Sequence, residues 1–336
     1  MDAGTTGWGI VGLGKVAREE IAPALTSLPG STLAAVAGRD ADRAAQFAAT
    51  HGAARSYGDY QDLLEDPGVQ VVYVATPNAL HAEQVVRAAR AGRHVLCDKP
   101  LALDAEQARS VVQECRQAGV LLGLMFQTRR QGGVAEVRDA IAAGEIGRVV
   151  AVSVEMGTGR TLLKGWRTDP ALAGAGTTNN LGVHAYDLLS HLLGQDVVEV
   201  TAMTAREEGL ALETVAMSLL RMSGGALAQV NVNQSVAMPF ADVVVHGTKG
   251  RVVGRGTSRM NMRGTWTVST AAGERTLDVD SFSAYRDTLA DFADAVRSGR
   301  EPSPSGLDGL RSVEVVAALT RSAAEGRTVE VSAAVA

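Results

Sequence analysis

The sequence predicts an α/β protein in two parts. The first part is expected to hold a doubly wound parallel sheet, and the second an α+β arrangement with an open, mostly antiparallel sheet. Three observations predict this. Strand-like and helix-like segments alternate over the first 126 residues, a glycine motif follows the first strand, and strand patterns repeat from Arg148 onward.

The first strand leads directly into a glycine turn and a helix. The apolar run Trp8–Val11 is followed by Gly12–Ala17 (GLGKVA, a G-x-G-x-x-A pattern) and by a helical stretch that ends before Pro29 and Gly30. In a Rossmann fold the first glycine makes the tight turn, and the second lets the backbone approach a pyrophosphate. The helix N-terminus then faces the phosphates. We therefore predict a Rossmann dinucleotide site that includes Gly12, Leu13, Gly14, Lys15 and Val16.

The second strand, Ser31–Ala37, ends in Gly38, Arg39 and Asp40. This is where such folds read the adenosine ribose: an arginine accommodates a 2′-phosphate and an acidic residue accepts from the 2′-hydroxyl. Arg39 therefore favours NADP(H). Asp40 keeps NAD(H) open as the alternative.

The later strands of the first half also end in polar side chains. Strands are predicted at Val69–Thr76, Arg93–Cys97 and Val120–Phe126, and helices at Asp40–Thr50, Asp59–Glu65, Asp104–Gly119 and Val134–Ala143. Ligands of open α/β sheets bind beyond the carboxyl ends of the strands. The cofactor-binding residues predicted there are Thr76, Pro77, Asn78, His81, Asp98, Lys99 and Gln127.

Composition narrows the function classes. A net charge of −5 argues against nucleic-acid binding, and two cysteines, Cys97 and Cys115, form no disulfide framework. The opening MDAGTTG is too short and too polar for a signal peptide, and no apolar run is long enough to cross a membrane. These features predict a cytoplasmic protein that does not bind membranes.

The second half of the sequence is predicted to form a sheet followed by two helices. The predicted strands are Val149–Met156, Val197–Met203, Glu213–Leu220, Ala226–Asn233, Ala241–His246, Arg251–Gly254 and Thr265–Ser269. Helices are predicted at Ser283–Ser298 and Leu307–Glu325, and a last strand at about Thr328–Val331. We place a dinucleotide-binding domain at 1–126 and a substrate-binding and oligomerisation domain at 127–336, whose last helix and strand pack back on the first domain.

One helix of the second half carries acid–base chemistry. In the stretch AGAGTTNNLGVHAYDLLSHLLG, the residues Asn180, His184 and Asp187 share one helical face. An imidazole titrates near neutral pH and suits a general acid–base. A metal site is the alternative interpretation of this helix, with His184, Asp187 and His191 as ligands. Since no cysteine or glutamate completes the ligand set, we predict no metal.

Five motifs, GLGKVA, AGRD, ATPNALH, CDKPLAL and LGVHAYD, occur in an order that resembles the Gfo/Idh/MocA oxidoreductase family, the relatives of glucose–fructose oxidoreductase and inositol dehydrogenase. The resemblance implies that Lys99 touches substrate and nicotinamide, with Asp98 in place of the usual glutamate and a Lys99–Pro100 bond that is often cis. It implies the same two-domain plan, with the outer face of the second sheet used for contacts in a homodimer or homotetramer.

The resemblance also bears on the second domain. It places Trp166 and Arg167 near the cofactor, and Tyr285 near the nicotinamide and substrate, although a packed tyrosine is equally compatible. His184 and Asp187 match the family motif, whereas Asn180 stands where an aspartate is usual. An amide hydrogen-bonds a hydroxyl but supplies no negative charge, so pH optimum and reaction direction stay open.

These observations predict an NADP(H)-preferring oxidoreductase that acts on a secondary alcohol or ketone of a sugar, cyclitol or related polyol. The predicted catalytic residues are Lys99, His184 and Asn180. The predicted substrate-contacting residues are Lys99, Arg129, Arg160, Lys164, Asn179, Asn180, His184 and Tyr285. Two alternatives are a nicotinamide-dependent glycosidase that oxidises, eliminates and reduces, and a cofactor-binding protein with weak catalysis.

Overall fold

A computed structural model describes residues 4–160, 163–258, 263–280 and 283–332. The start of MDAGTTG and the last four residues of the expected second domain lie outside these ranges. The chain folds as two compact units: residues 4–126 with Tyr285–Leu310, and Gln127–Ala284 with the chain from Arg311 onward.

The first unit is built on a six-stranded parallel sheet in the order β3-β2-β1-β4-β5-β6. This is the strand order of a dinucleotide-binding fold. The strands are β1 (Thr6–Val11), β2 (Ser31–Ala37), β3 (Arg55–Tyr57), β4 (Val71–Val74), β5 (His94–Cys97) and β6 (Leu122–Leu124). The short β3 is absent from the sequence prediction, because RSY carries no apolar run.

Five helices connect these strands: α1 (Ala22–Thr26), α2 (Ala41–His51), α3 (Tyr60–Glu65), α4 (His81–Arg90) and α5 (Ala105–Gln117). The helix after the glycine motif is π-helical over Ala17–Ile21 and α-helical in α1. Asp40, Asp59 and Asp104 cap α2, α3 and α5, since each carboxylate accepts a backbone N–H of the first turn.

The second unit contains a nine-stranded sheet in the order β14-β13-β12-β11-β7-β10-β9-β8-β15. Its neighbours are antiparallel except for the parallel pair β7–β10, so the predicted fold class is confirmed. The strands are β7 (Val149–Gly157), β8 (Val197–Ala205), β9 (Val215–Met222), β10 (Leu227–Asn233), β11 (Phe240–Gly247), β12 (Gly250–Arg255), β13 (Arg263–Thr270), β14 (Gly273–Asp280) and β15 (Val329–Glu330).

Three helices of this unit are α6 (Val134–Ala142), α7 (Pro170–Ala173) and α8 (Val183–Leu193). The β-strand β14, GERTLDVD, was not predicted, because its polar residues obscure the alternation. Alternate residues of β9 are buried, among them Ala216, Ser218 and Leu220, while Met217 and Leu219 are exposed. One face of the sheet is therefore covered and the other is open in the single chain.

Two helices follow β14 in the chain, α9 (Ala284–Ser298) and α10 (Gly306–Glu325). The aromatic ring of Phe292 in α9 lies 6.0 Å from that of Trp8 in β1, and both side chains belong to the apolar core of the first unit. Gly123 of β6 makes room for this ring, since a Cβ there would lie 2.7 Å from it. Burial of Phe292 and Leu289 is the physical reason why Tyr285–Leu310 belongs to the first unit.

The last strand joins the sheet of the second unit. Val329 and Glu330 pair with Val200 and Glu199 of β8 in antiparallel register. The backbone groups of β8 on this side would otherwise form an unpaired edge, which β15 covers. Among the described residues no helix is both long and apolar enough to cross a membrane.

Candidate active site

The glycine turn lies where β1 meets the end of β4. Gly12 has φ +91°, and a Cβ on it would lie 2.6 Å from the backbone of Ala75. Its N–H donates to the Ala37 carbonyl of β2 at 3.3 Å. No other residue type fits this close approach without strain.

Gly14 differs from Gly12 in a way that matters for ligand binding. A Cβ on Gly14 would have no heavy atom within 4 Å, and its φ is not in the left-handed region. Glycine at 14 is therefore not required for packing in the protein alone. Open space in front of this backbone, at the start of a helix whose Arg18 N–H donates to the Gly14 carbonyl at 3.0 Å, fits a pyrophosphate.

The turn after β2 presents Arg39 to solvent. Asp40 is also exposed, but its carboxylate accepts the Arg43 N–H at 3.1 Å and begins α2. Arg39 is therefore the exposed cation of the turn that follows β2, and β2 pairs with β1.

The ends of β4 and β5 carry the next predicted residues. After β4, the Thr76 hydroxyl donates to Gln84 at 2.6 Å, Pro77 follows, and Asn78 is buried. After β5, the Asp98 carboxylate accepts the Lys99 N–H at 2.8 Å. The Lys99–Pro100 peptide bond is cis, as the resemblance implied.

His81 joins these two turns. Its Nδ1 lies 2.6 Å from the Pro100 carbonyl oxygen and its Nε2 lies 2.9 Å from that of Thr76. The side chain is 1% exposed. Both ring nitrogens of His81 therefore contact backbone carbonyls, and the side chain supports the Thr76 and Pro100 turns. A direct contact of His81 with the cofactor stays a prediction.

The interior behind these turns contains the Cys97 thiol and the Tyr73 phenol, both fully buried. Burial raises the pKa of the Cys97 thiol well above its usual value, and the Asp98 charge adds to this. Burial likewise raises the pKa of the Tyr73 phenol, with contributions from Asp98, Tyr285 and Cys97. Tyr285 belongs to the first unit and is half-buried against its apolar core.

In the second unit, Asn180 and His184 lie on consecutive helical segments. Residues Thr178–Gly182 are π-helical and run directly into α8. Asn180 is half-buried, and its N–H donates to the Gly176 carbonyl at 3.1 Å. His184, in the first turn of α8, is 7% exposed.

Arg129 makes a two-pronged ion pair with Asp187. Its Nε lies 2.9 Å and its Nη2 2.5 Å from the two carboxylate oxygens, and both side chains are buried. The pair connects the turn Gln127–Arg130, in which Gln127 is buried, to the second turn of α8. The guanidinium fork predicted to read substrate is thus engaged within the protein.

Two further predicted substrate residues are also engaged. The Asn179 amide is buried and donates to the Ala173 carbonyl at 2.9 Å, where α7 ends. The exposed Arg160 pairs with Glu207 at 2.8 Å. Both contacts connect loops of the second unit, and the substrate contacts of these two side chains stay predictions.

The loop before α7 holds the remaining predicted residues. Lys164 is exposed, and the Arg167 guanidinium stacks 4.4 Å from the Trp166 ring centroid. Both members of this cation–π pair are half-buried. The described residues contain no group of three or more His, Cys, Asp or Glu side chains that could hold a metal ion.

The predicted residues thus form two sets. In the first unit the glycine, Thr76 and Lys99 turns lie at one sheet edge, since Gly12 abuts Ala75 and His81 links Thr76 to Pro100. In the second unit Asn180 and His184 lie on one helix. Sequence reasoning missed Glu213, which binds the start of that helix from 35 residues away, and no local pattern marks it.

Comparison with known proteins decides the family. Residues 6–126 match the model described as the oxidoreductase family, NAD-binding Rossmann fold, and residues 134–253 match the GFO/IDH/MocA C-terminal domain. The chain belongs to the Gfo/Idh/MocA oxidoreductase family. It is a nicotinamide-dependent oxidoreductase, and the resemblance read from the five motifs is confirmed.

Relatives of the Gfo/Idh/MocA family align over nearly the whole chain. A 1,5-anhydro-D-fructose reductase of Ensifer adhaerens is 35% identical and covers 96% of this chain and 98% of its own. An inositol 2-dehydrogenase of Saccharopolyspora erythraea is 31% identical, covering 97% and 95%. The structure of an aldose–aldose oxidoreductase from Caulobacter crescentus, complexed with glycerol, superimposes with a TM-score of 0.88 at 28% identity, covering 97% and 99%.

The contrast between the two glycines gives a test of the nucleotide site. Gly14→Ala is expected to keep the melting temperature, because its Cβ meets no atom, and to weaken NADPH binding by about tenfold or more, because the Cβ occupies the pyrophosphate's approach. Gly12→Ala is expected to cost about 2 kcal/mol or more of stability. Thermal unfolding and cofactor titration check both, and undiminished NADPH affinity in Gly14→Ala contradicts the assignment.

Proposed function

We propose that this protein is an NADP(H)-preferring oxidoreductase whose substrate is a secondary alcohol or ketone of a sugar, cyclitol or related polyol. The observation that supports the proposal most is the open space beside the Gly14 backbone. The turns of Arg39 and Lys99 lie at the same edge of the parallel sheet. The names of the two aligned relatives, which refer to anhydrofructose and inositol, support a polyhydroxylated substrate.

The residues that would hold the cofactor lie mainly in the first unit. Gly12, Leu13, Gly14, Lys15 and Val16 would face the pyrophosphate. The ribose end would meet Arg39 with Asp40 beside it, while Thr76, Pro77, Asn78 and Asp98 would line the way to the Lys99 turn. The proposed cofactor contacts also include Gln127, Trp166 and Arg167. A bound nicotinamide supplies hydride transfer, and the chain positions it.

Hydride transfer also requires the transfer of a proton, which we assign to side chains of this protein. When an alcohol carbon gives up a hydride, its hydroxyl proton must go to a base, and in the reverse direction an acid must return it. We assign this exchange to Lys99 and His184, with Asn180 as a hydrogen-bonding partner for a substrate hydroxyl. The Asn180 amide can donate and accept hydrogen bonds, but it lacks the negative charge of the aspartate that is usual at this position in the family.

The remaining residues predicted to contact substrate divide into two groups. Arg129 and Asn179 are bound within the protein, and we propose that they hold the turns beside α8. The residues proposed to hydrogen-bond neighbouring substrate hydroxyls are Lys164, Arg160 and Tyr285.

The cytoplasm is the proposed location of the protein, and cell fractionation tests it. The buried free thiols of Cys97 and Cys115 suit a reducing compartment.

Cofactor choice tests the role of Arg39. Arg39→Ala is expected to lower NADPH affinity by about tenfold or more and to leave NADH affinity unchanged, because only NADPH carries the 2′-phosphate. Titration of the purified protein measures both affinities, with the exposed Arg116→Ala as control. A preference for NADH in the unaltered protein would contradict the assignment and would shift the ribose contact to Asp40.

Turnover tests the reaction and the role of Lys99. With NADP⁺ and a panel of sugars and cyclitols, the protein is expected to oxidise at least one member. Lys99→Ala is expected to lower kcat/KM by about 100-fold or more while NADPH still binds. The surface variant Lys249→Ala is the matched control.

Three results would contradict this interpretation. Lys99→Ala with most of its turnover intact removes Lys99 from the proton exchange. Cofactor binding without turnover of any polyol would favour a binding protein with weak catalysis, and net hydrolysis without a steady change in nicotinamide absorbance would favour the glycosidase alternative.

The open face of the second sheet is the proposed contact for a second copy of the chain. Met203, Met217, Leu219 and Leu227 lie on the neighbouring strands β8, β9 and β10 and are each at least half exposed. Met203 and Met217 are directly opposed in register, as are Thr201 and Leu219. An apolar patch of this kind on a sheet is typical of a self-complementary interface.

The oligomeric state tests this surface. Leu219→Arg is expected to convert a dimer or tetramer to smaller species, because the interface would then bury an unpaired charge. Light scattering coupled to gel filtration measures the mass. Met238→Arg is the matched control, since Met238 is 80% exposed but lies between β10 and β11. An unaltered protein that is monomeric at all concentrations contradicts the proposal.

A further inference from the structure

The helix that carries Asn180 and His184 begins without a cap of its own. Thr177 precedes the π-helical segment and Gly182 precedes α8, and neither makes a side-chain capping hydrogen bond. The first N–H groups of any helix have no partner within the helix. In a buried segment such groups must find an acceptor elsewhere, and Thr177 and Thr178 are both buried.

Glu213 provides these acceptors. One carboxylate oxygen, Oε1, accepts the N–H of Gly176 at 2.8 Å, the N–H of Thr178 at 3.1 Å and the Thr178 hydroxyl. The backbone carbonyl of the same residue accepts the N–H of Thr177 at 2.9 Å. Glu213 thus binds three successive N–H groups, and its negative charge faces the positive end of the helix.

The contact is close and the partner is held by the sheet. A Cβ on Gly176 would lie 2.0 Å from the Glu213 carbonyl oxygen, so only glycine allows this approach. On the other side, the N–H of Thr214 donates to Ala205 at the end of β8, and its carbonyl accepts the N–H of Gln234 just beyond β10. Glu213 therefore directly precedes a residue, Thr214, whose backbone is hydrogen-bonded to the ends of both strands that flank β9.

The path from Glu213 to the proposed chemistry is short. The Gly176 N–H binds the Glu213 carboxylate, and the Gly176 carbonyl accepts the N–H of Asn180 at 3.1 Å. His184 follows one turn later in α8. A shift of the first turn would move both side chains together.

We propose that Glu213 is a positioning residue for this reaction: it locks the first turn of the helix to the sheet and so fixes where Asn180 and His184 meet the substrate. The assignment rests on the proposed function for its effect on turnover. The lock itself is a property of the second unit and is measurable without turnover. Small errors in the placement of reacting groups cost large factors in rate.

Two substitutions separate the carboxylate's charge from its geometry. Glu213→Ala removes the acceptor, and we expect kcat to fall by about tenfold or more with NADPH affinity close to that of the unaltered protein. Glu213→Gln keeps an acceptor oxygen at the same reach and is expected to recover most of the lost kcat. Glu208→Ala, an exposed carboxylate of the same loop, is the control and should change neither constant.

Amide hydrogen exchange over residues 176–182 measures the lock directly. Exchange there should accelerate in Glu213→Ala and return toward the original rate in Glu213→Gln, while the rest of the protein is unchanged. If Glu213→Ala fails to fold, Glu213→Gln is compared with the unaltered protein. Because an amide oxygen accepts weaker hydrogen bonds than a carboxylate, exchange over residues 176–182 is expected to be modestly faster in Glu213→Gln than in the unaltered protein.

Unchanged kcat and unchanged exchange in the Glu213 variants would overturn the proposal, and so would faster exchange without any loss of kcat. If the unaltered protein turns over no polyol, the proposed function fails on that ground. The exchange measurement still decides whether Glu213 locks the helix.

Discussion

The close approach of Gly12 to the end of β4 is the constraint on which the candidate cofactor site depends. The glycine abuts the backbone of Ala75 and binds the Ala37 carbonyl, so one residue brings the ends of β1, β2 and β4 to a common edge. His81 extends the same edge to β5 by contacting the carbonyls of Thr76 and Pro100. The turns that would meet pyrophosphate, ribose and nicotinamide are therefore held by the Gly12 backbone and the His81 side chain before any ligand binds.

The second unit uses side chains for the equivalent task. The helix of Asn180 and His184 is held at its start by Glu213 and at its second turn by the buried Arg129–Asp187 pair. Both helices at proposed sites also contain π-helical turns, Ala17–Ile21 and Thr178–Gly182. Such turns are uncommon and often occur at functional sites, where they redirect nearby side chains.

Local signals in the sequence sufficed for much of this fold. The strands β1, β4 and β5 are fully buried apolar runs or nearly so, and Asp40, Asp59 and Asp104 mark helix starts by capping chemistry. The glycine motif and the Lys99–Pro100 turn carry family patterns of their own. These features depend on neighbours in sequence, and this is why they were predictable.

What sequence reasoning missed depends on residues that are distant along the chain. Phe292 joins the core around Trp8, which is the reason α9 belongs to the first unit. Arg129 meets Asp187 across 58 positions, so a cation predicted to face substrate is bound within the protein. Glu213 carries no periodic or motif signal. Pairings of this kind require the fold, because no local pattern names the partner.

The most direct test of the account is a map of the amides that NADPH protects from hydrogen exchange. We predict protection concentrated at residues 12–17, 39–43, 76–81 and 98–100, the turns at one edge of the parallel sheet. We expect little change in the strands β8, β9 and β10. Protection confined to other surfaces, or none at saturating cofactor, would contradict the assignment of this edge as the dinucleotide site.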